Sequence, residues 1–172
     1  MCNKKYILKL IHTLTIVLIA GAGGCKEVTN EKNDVVPQSG TDIDIIKLTD
    51  LQNRGVDINQ YKGKTVFINF WATWCKPCIA ELPSIQKLQT RLKNENVIFL
   101  LASNEDVSEI EGFKNANDYT FNYTRVENFE ALNIQTIPTT FIFNPGGKLV
   151  FGEMGARNWD DSTNFQLILK IK

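Results

Sequence analysis

Histidine is almost missing from this chain of 172 residues, in which His12 is the single example. This scarcity excludes the Cys–His and Ser–His pairs of common hydrolases and acyltransferases, and it excludes metal sites built on imidazole. Cysteine is also scarce, with four in the whole chain. A closed zinc site needs more thiolates than Cys75 and Cys78 provide, and c-type haem attachment needs a histidine where Ile79 stands.

The first 24 residues differ in character from the rest of the chain. Lys4, Lys5 and Lys9 precede an apolar stretch at residues 10–22 that ends in small residues. A stretch of about 13 residues is shorter than the roughly 20 that a bilayer-spanning helix needs. The sequence therefore predicts a removable signal peptide over residues 1–24 and an exported mature protein.

Ala22-Gly23-Gly24-Cys25 resembles a bacterial lipobox, in which cleavage before a cysteine is followed by lipid attachment to that cysteine. Leucine is usual where this chain has Ala22, and plain secretion with an unmodified Cys25 is the alternative. Residues 25–40 are too poor in apolar groups to pack and are predicted to form a lipid-anchored flexible tether. The protein is then expected in the cell envelope, facing the periplasm, where disulfides persist or must be actively managed.

Charge gives no sign of a nucleic-acid partner. Removal of the signal lysines leaves about 16 basic residues against 19 acidic ones, a net charge near −3. Nucleic-acid-binding proteins carry a basic surface, so nucleic acid is not an expected partner.

The predicted folded domain, residues 41–172, alternates buried strands with helices. Residues 65–70 form a continuous β-branched and aromatic run, typical of a strand buried on both faces. Apolar residues then recur at the spacing of a helix stripe: Ile79, Leu82, Ile85, Leu88 and Leu92. A second apolar run at residues 97–101 predicts a parallel neighbouring strand reached by a right-handed crossover.

Weaker patterns flank this βαβ unit. Residues 42–61 predict a short strand or hairpin before the first core strand. The loop Asn144-Pro145-Gly146-Gly147 predicts that the strands on either side of it are antiparallel. The remaining elements are predicted as a helix at 107–114, a strand at 121–126, a helical turn at 129–132, strands at 139–143 and 149–151, and a closing helix capped by Asp160, Asp161 or Ser162.

Two thiols three positions apart, Cys75 and Cys78, follow the first buried strand. This spacing predicts a reactive disulfide at the turn between strand and helix. Cys75 is expected at or just before the helix N-terminus, where orphan N–H groups and the helix dipole favour a thiolate. Lys76 should act in the same direction, and Pro77 suits and stiffens the first helical turn.

This order of elements, with Trp74-Cys75-Lys76-Pro77-Cys78 before a helix and Ile137-Pro138 before a hairpin, resembles the thioredoxin fold. The resemblance covers nearly all of residues 41–172. It implies an α/β fold with a central mixed β-sheet, helices on both faces, an N-terminal hairpin and an inserted helix and strand. Within that superfamily, residues 69–83 are similar to the ResA/TlpA group of envelope-facing thiol-disulfide oxidoreductases, whose insertion corresponds to residues 108–126.

The resemblance assigns chemical roles to three side chains. Cys75 would be the attacking thiol, which forms a mixed disulfide with a partner, and Cys78 the resolving thiol. Glu81 lies three residues beyond Cys78 in a stretch expected to be buried, where a carboxylate has a raised pKa and can take the proton of Cys78. Plain thioredoxin has a buried aspartate on the preceding strand, where this chain has Asn69. A solvated Glu81 that favours the helix dipole is the alternative.

Ile137-Pro138 resembles the cis-proline step of the same superfamily. That step is implied to lie beside the cysteines, with the backbone groups of Ile137 offered to an extended substrate segment. A simple strand-edge proline is the alternative for Pro138, and Trp71 either joins an apolar rim or packs in the core. The implied substrate-binding residues are Trp74, Lys76, Pro77, Ile137 and Pro138.

The functional expectation is a thiol-disulfide oxidoreductase, a reductase by group membership, that exchanges its Cys75–Cys78 pair with cysteines of exported proteins. Apocytochrome c is a candidate client, and a membrane thiol donor would supply electrons. The protein is expected to be monomeric, with no dissociable cofactor and no metal. Two rivals stay open: a copper(I)-binding assembly factor, because paired thiolates select Cu(I), and an interaction module whose disulfide is structural.

Overall fold

The computed structural model describes residues 41–171 of the chain. The predicted signal peptide at 1–24, the lipidation site Cys25 and the tether at 25–40 lie outside the described residues and stay predictions. Within residues 41–171, no helix combines the length and apolarity that crossing a membrane requires.

Strands and helices alternate through the described residues, as the sequence predicts. The strands are β1 (Leu48–Thr49), β2 (Gly55–Val56), β3 (Thr65–Phe70), β4 (Val97–Ser103), β5 (Asn122–Val126), β6 (Thr139–Phe143) and β7 (Leu149–Met154). The α-helices are α1 (Lys76–Arg91), α2 (Val107–Asn115) and α3 (Ser162–Lys170). Short 3-10 helices span Ile43–Ile45, Ile58–Tyr61 and Phe129–Leu132.

The strands form one mixed sheet in the order β2-β1-β5-β4-β3-β6-β7. β3, β4 and β5 are parallel neighbours, which confirms the predicted βαβ unit and its inserted helix and strand. β6 pairs antiparallel with β3 and with β7, and β1 with β2 forms the expected N-terminal hairpin. The interior strand β3 is buried along its whole length, because it has a neighbour on each edge and a packed layer on each face.

Helices cover both faces of the sheet, but the two layers differ in kind. All three α-helices contribute to one apolar core, through residues such as Leu82, Ile110 and Ile168. The opposite core is covered by the 3-10 helices and the N-terminal segment: Ile43, Ile58 and Leu132 are buried there. The sequence predicts helices on both faces of the sheet. In residues 41–171, the helices that cover the second core are 3-10 helices of a single turn.

Aromatic packing fixes the start of α3 against the sheet. The ring of Phe67 on β3 is fully buried, and its centroid lies 4.9 Å from that of Phe99 and 4.8 Å from that of Trp159. Burying one such ring contributes roughly 2–3 kcal/mol. Asp161 then caps α3 by accepting a hydrogen bond from Asn164 N at 2.8 Å, so one of the three predicted caps is confirmed. The segment between β7 and α3 is also held against α1, because the backbone N–H of Trp159 donates to Ser84 Oγ at 3.0 Å.

Candidate active site

The cysteine motif lies where β3 ends and α1 begins. Trp71 still donates its backbone N–H to Ala102 O on the neighbouring β4, at 3.1 Å. A turn follows, closed by a hydrogen bond from Cys75 N to Ala72 O, and α1 starts at Lys76 with Pro77 in its first turn. Proline is suited to that position because the first N–H groups of a helix have no intrahelical partner. The strand-to-helix turn predicted for the motif is confirmed.

Cys75 and Cys78 are joined by a disulfide, with their Cα atoms 5.2 Å apart. Cys75 is the N-cap of α1, and its Sγ accepts a hydrogen bond from Cys78 N at 3.2 Å. Cys75 keeps 4% of its surface exposed, whereas Cys78 is fully enclosed. The two cysteines are therefore chemically unequal: Cys75 caps a helix N-terminus and keeps a small exposed fraction, whereas Cys78 is enclosed in the core.

Glu81 is buried on α1, as predicted, with 4% of its surface exposed. Its Oε1 accepts a hydrogen bond from Asn69 Nδ2 at 2.7 Å, and its Oε2 accepts one from the backbone N–H of Arg157 at 3.0 Å. Burial raises the pKa of Glu81 to about 7, although the hydrogen bonds from Arg157 and Asn69 oppose the rise. The alternative of a solvated first-turn glutamate is wrong for this side chain.

Asn69 connects this carboxyl to the sheet. It lies on β3 directly opposite Thr140 of β6, and its Nδ2 also donates to Thr140 Oγ1 at 3.0 Å. Its Oδ1 is buried and has no hydrogen-bond partner within residues 41–171. Among the three connected side chains of Asn69, Glu81 and Thr140, Glu81 is therefore the ionisable one.

The Ile137–Pro138 peptide bond is cis, as the resemblance implies, and Pro138 is buried ahead of β6. Ile137 and Trp74 line the same open groove of about 370 Å³. Trp74 is 71% exposed, whereas Trp71 is 1% exposed and belongs to the core, so the rim role offered for Trp71 is wrong. The other residues that line the groove are Asn104, Phe129, Ile134, Gln135 and Thr136. Lys76 and Pro77 lie exposed at the start of α1.

Two residues near the cysteine motif, Glu105 and Arg157, were not identified from the sequence. Glu105 accepts hydrogen bonds from the turn before the cysteines, from Thr73 N at 2.8 Å and from Thr73 Oγ1 at 2.6 Å. A signal for it exists, since it follows a predicted parallel strand whose carboxyl end must lie beside that of β3. Arg157, which reaches Glu81 with its backbone N–H, lies 76 positions away and has no sequence signal.

A mixed sheet with a fully buried interior strand, a Cys-x-x-Cys disulfide at a helix N-terminus and a cis-proline before β6 together define a protein of the thioredoxin class. Comparison with known proteins narrows the class. The sequence profile of the AhpC/TSA family matches residues 40–151, and the chain belongs to that thioredoxin-like family.

Relatives with curated names are similar to this chain at about 30% identity. Thiol-disulfide oxidoreductase ResA of Bacillus subtilis is 33% identical over 116 residues, which cover 64% of this chain and 64% of the relative, slightly under two thirds. The protein of the same name from Geobacillus kaustophilus is 30% identical over 152 residues, which cover 85% of this chain and 87% of the relative. The name thiol-disulfide oxidoreductase ResA belongs to these relatives and not to this chain.

A solved structure confirms the fold. The crystal structure of a putative thiol:disulfide interchange protein DsbE from Chlorobium tepidum superposes with a TM-score of 0.66, covering 77% of this chain and 94% of that chain. Sequence identity is 20%, so this likeness shows a shared fold and no more.

Proposed function

We propose that this protein is a thiol-disulfide oxidoreductase that works as a reductant of cysteine pairs in exported proteins. One observation carries the proposal: the Cys75–Cys78 disulfide lies at the N-terminus of α1, with the outer sulfur accepting a backbone N–H and the inner sulfur enclosed. A bridge across so short a loop adds little stability by loop entropy, which favours a redox role over a structural one.

The first step uses Cys75. In the reduced protein its sulfur, stabilised as a thiolate by the Cys78 N–H and the helix dipole, attacks one sulfur of a client disulfide. The client S–S bond breaks, a mixed disulfide between Cys75 and the client forms, and the departing client thiolate takes a proton from solvent. Cys78 cannot make this attack because it has no exposed surface.

The second step uses Cys78 and Glu81. The Cys78 thiol loses its proton to Glu81 and attacks Cys75 Sγ, so that the Cys75–Cys78 bond forms and the second client sulfur leaves as a thiolate. Two electrons have then passed to the client. A carboxyl whose pKa is about 7 is present in both protonation states near neutral pH, which suits it to accept and release this proton.

The client segment is proposed to lie in the groove between Trp74 and Ile137. An extended chain can bond there to the backbone groups of Ile137, while the exposed Trp74 ring covers an apolar side chain beside the reacting cysteine. The groove lining is mostly uncharged, so shape and backbone bonding would select the client more than charge does.

Export of the chain is proposed from the signal-like residues 1–24, anchoring from Cys25, and reach from the tether at 25–40. The oxidised protein then needs a membrane thiol donor to return the Cys75–Cys78 pair to dithiol form, because a reductant turns over only when it is itself reduced. Apocytochrome c, whose thiols must be free for haem attachment, is the client class that we propose to test first. The names of the relatives support the reaction and are silent on the client.

Two cysteine variants test the reaction. Cys75→Ser removes the attacking sulfur and should abolish reduction of a peptide disulfide. Cys78→Ser leaves the attack intact but prevents resolution, so it should accumulate a mixed disulfide that is visible by mass and released by dithiothreitol. Full activity of Cys75→Ser, or trapping by Cys75→Ser in place of Cys78→Ser, would contradict the assigned order.

A further inference from the structure

Glu105 lies two residues after the end of β4, and its carboxylate accepts three hydrogen bonds. Thr73 donates to it twice, from its backbone N at 2.8 Å and from Oγ1 at 2.6 Å, and Ser103 donates from Oγ at 2.9 Å. The side chain of Ser103 in turn accepts the backbone N–H of Glu105 at 3.2 Å. The carboxylate is thus fixed from its own strand and directed at the turn before the cysteines.

That turn has few other restraints. Residues 71–75 are neither strand nor helix. Two backbone bonds flank Thr73, from Trp71 N to Ala102 O and from Cys75 N to Ala72 O, and Cys75 O accepts a further one from Ile79 N of α1. Thr73 lies between the two bonds, and both of its donors go to Glu105. Hydrogen bonds to an ionised acceptor are about twice as strong as neutral ones, so this one side chain is the main restraint on the middle of the turn.

The residues on either side of this contact line the proposed client groove. Trp74 follows Thr73, Asn104 precedes Glu105, and both line the groove that Ile137 also lines. Trp74 has 71% of its surface exposed and therefore has little packing of its own to hold it. The position of its ring depends on the backbone that carries it, and that backbone is bonded to Glu105.

We infer that Glu105 is a positioning residue for polypeptide clients: it holds the turn at Thr73 so that Trp74 forms a fixed wall of the groove beside Cys75. This inference rests on the proposed function and names the part of the reaction that Glu105 serves. Docking of an extended segment needs the wall, whereas a small disulfide reagent needs only the outer sulfur. Replacement of Glu105 should therefore slow the reduction of a polypeptide disulfide more than the reduction of a small disulfide reagent.

The test compares two substrates on the reduced, full-length protein. One is a synthetic peptide that carries a Cys-x-x-Cys disulfide, and the other is hydroxyethyl disulfide, which is too small to use the groove. Glu105→Gln keeps the side-chain shape and one acceptor oxygen but loses the charge. We expect kcat/KM for the peptide to fall about tenfold, mainly through KM, and the rate with hydroxyethyl disulfide to change less than twofold.

Thr73 gives a second and milder pair of variants. Thr73→Ser keeps the hydroxyl that Glu105 accepts and should retain wild-type peptide reduction, whereas Thr73→Val loses it and should fall about threefold. Adding Thr73→Val to Glu105→Gln should cost less than the product of the two separate losses, because both remove the same contact. Glu111→Gln on α2 removes the same charge without a described contact at the turn and serves as the control.

Each outcome decides the inference. A selective loss on the peptide, with Thr73→Ser active, supports it. An equal loss on both substrates, or no loss on either, overturns it, since Glu105 would then act on the sulfur chemistry or on folding alone. Failure of the wild-type protein to reduce hydroxyethyl disulfide would instead contradict the proposed function, so the two failures are distinguishable.

Discussion

The amide nitrogen Nδ2 of Asn69 lies 2.7 Å from the carboxylate oxygen Oε1 of Glu81, and both side chains are almost wholly enclosed. The pair joins β3 to α1 one turn after the cysteines. Because Asn69 is neutral, Glu81 is the ionisable member of the pair, and burial decides its protonation more than any neighbouring charge does.

Asn69→Asp would place a second carboxyl against Glu81. Two buried carboxyls at this distance cannot both ionise, so they would share one proton well above the ordinary pKa of either group. The folded state then holds more protons than the unfolded state, and stability falls as pH rises. We expect a loss of about 3 kcal/mol at pH 8 and a clearly smaller loss at pH 5, measured by urea unfolding. Asn69→Leu adds no charge and removes only the hydrogen bond that lowers the pKa of Glu81, so its loss of stability should differ less between pH 5 and pH 8 than that of Asn69→Asp.

The pKa of Glu81 makes the wild-type protein itself pH-dependent. Its value in the folded state is about 7 against 4.5 for an ordinary glutamate, so the folded state binds the proton more tightly. The resulting stability is fully present below about pH 4.5 and is lost as pH rises through about 7, a change of about 3 kcal/mol. Subtracting the unfolding free energy of Glu81→Gln from that of wild type at each pH should isolate this fall. A flat difference between pH 4.5 and pH 8 would contradict it.

The same variant tests the proton transfer. With Gln at position 81 no carboxyl can accept the Cys78 proton, so resolution of the mixed disulfide should slow and its pH-rate profile should lose the step near pH 7. Stopped-flow release of a fluorescent peptide thiol measures this step directly. An unchanged profile would leave Glu81 with a structural role only.

Much of this site could be predicted from sequence because its main features are local. The thiols, Pro77 and Glu81 lie within one strand-turn-helix unit, where spacing fixes which residues lie close together. Glu105 and Arg157 reach the same unit from 32 and 76 positions away, respectively, and only the folded sheet brings them there. In the 3-10 layer, the turn at Phe129–Leu132 was predicted, whereas Ile43–Ile45 and Ile58–Tyr61 were not, since single helical turns are too short to show a period.

Arg157 is expected to tune Glu81 through Glu153. The Arg157 side chain forms an ion pair with Glu153, and the charge of Glu153 acts to raise the pKa of Glu81. Arg157→Met removes this cation, so the pKa of Glu81 should move upward, and Glu153→Gln should move it downward. Infrared titration of the Glu81 carboxyl in the two variants gives the sign directly. Shifts in the same direction for both would contradict the assignment.

Trp74 is expected to contribute to client binding and not to the free energy of unfolding. Its ring is 71% exposed, so Trp74→Ala should change the unfolding free energy by no more than about 0.5 kcal/mol. Reduction of the peptide disulfide should fall roughly fivefold because the groove loses its exposed aromatic wall. Val150→Ala, at another exposed apolar position on β7, is the matched control and should leave peptide reduction unchanged. Equal effects of the two changes would remove Trp74 from the client surface.

A reversible reductant has a low reduction potential, so the potential of the Cys75–Cys78 pair is the first property to measure. The protein from residue 26 onward would be equilibrated in buffers of graded dithiol and disulfide content. Free thiols would then be blocked by alkylation, and the mass of the protein would give the reduced fraction of the Cys75–Cys78 pair. We expect a two-electron couple near or below about −230 mV. A potential near about −120 mV would make the protein an oxidant, and a pair that stays oxidised across the whole accessible range would mark a structural disulfide; with either result the pair would not be a reductant.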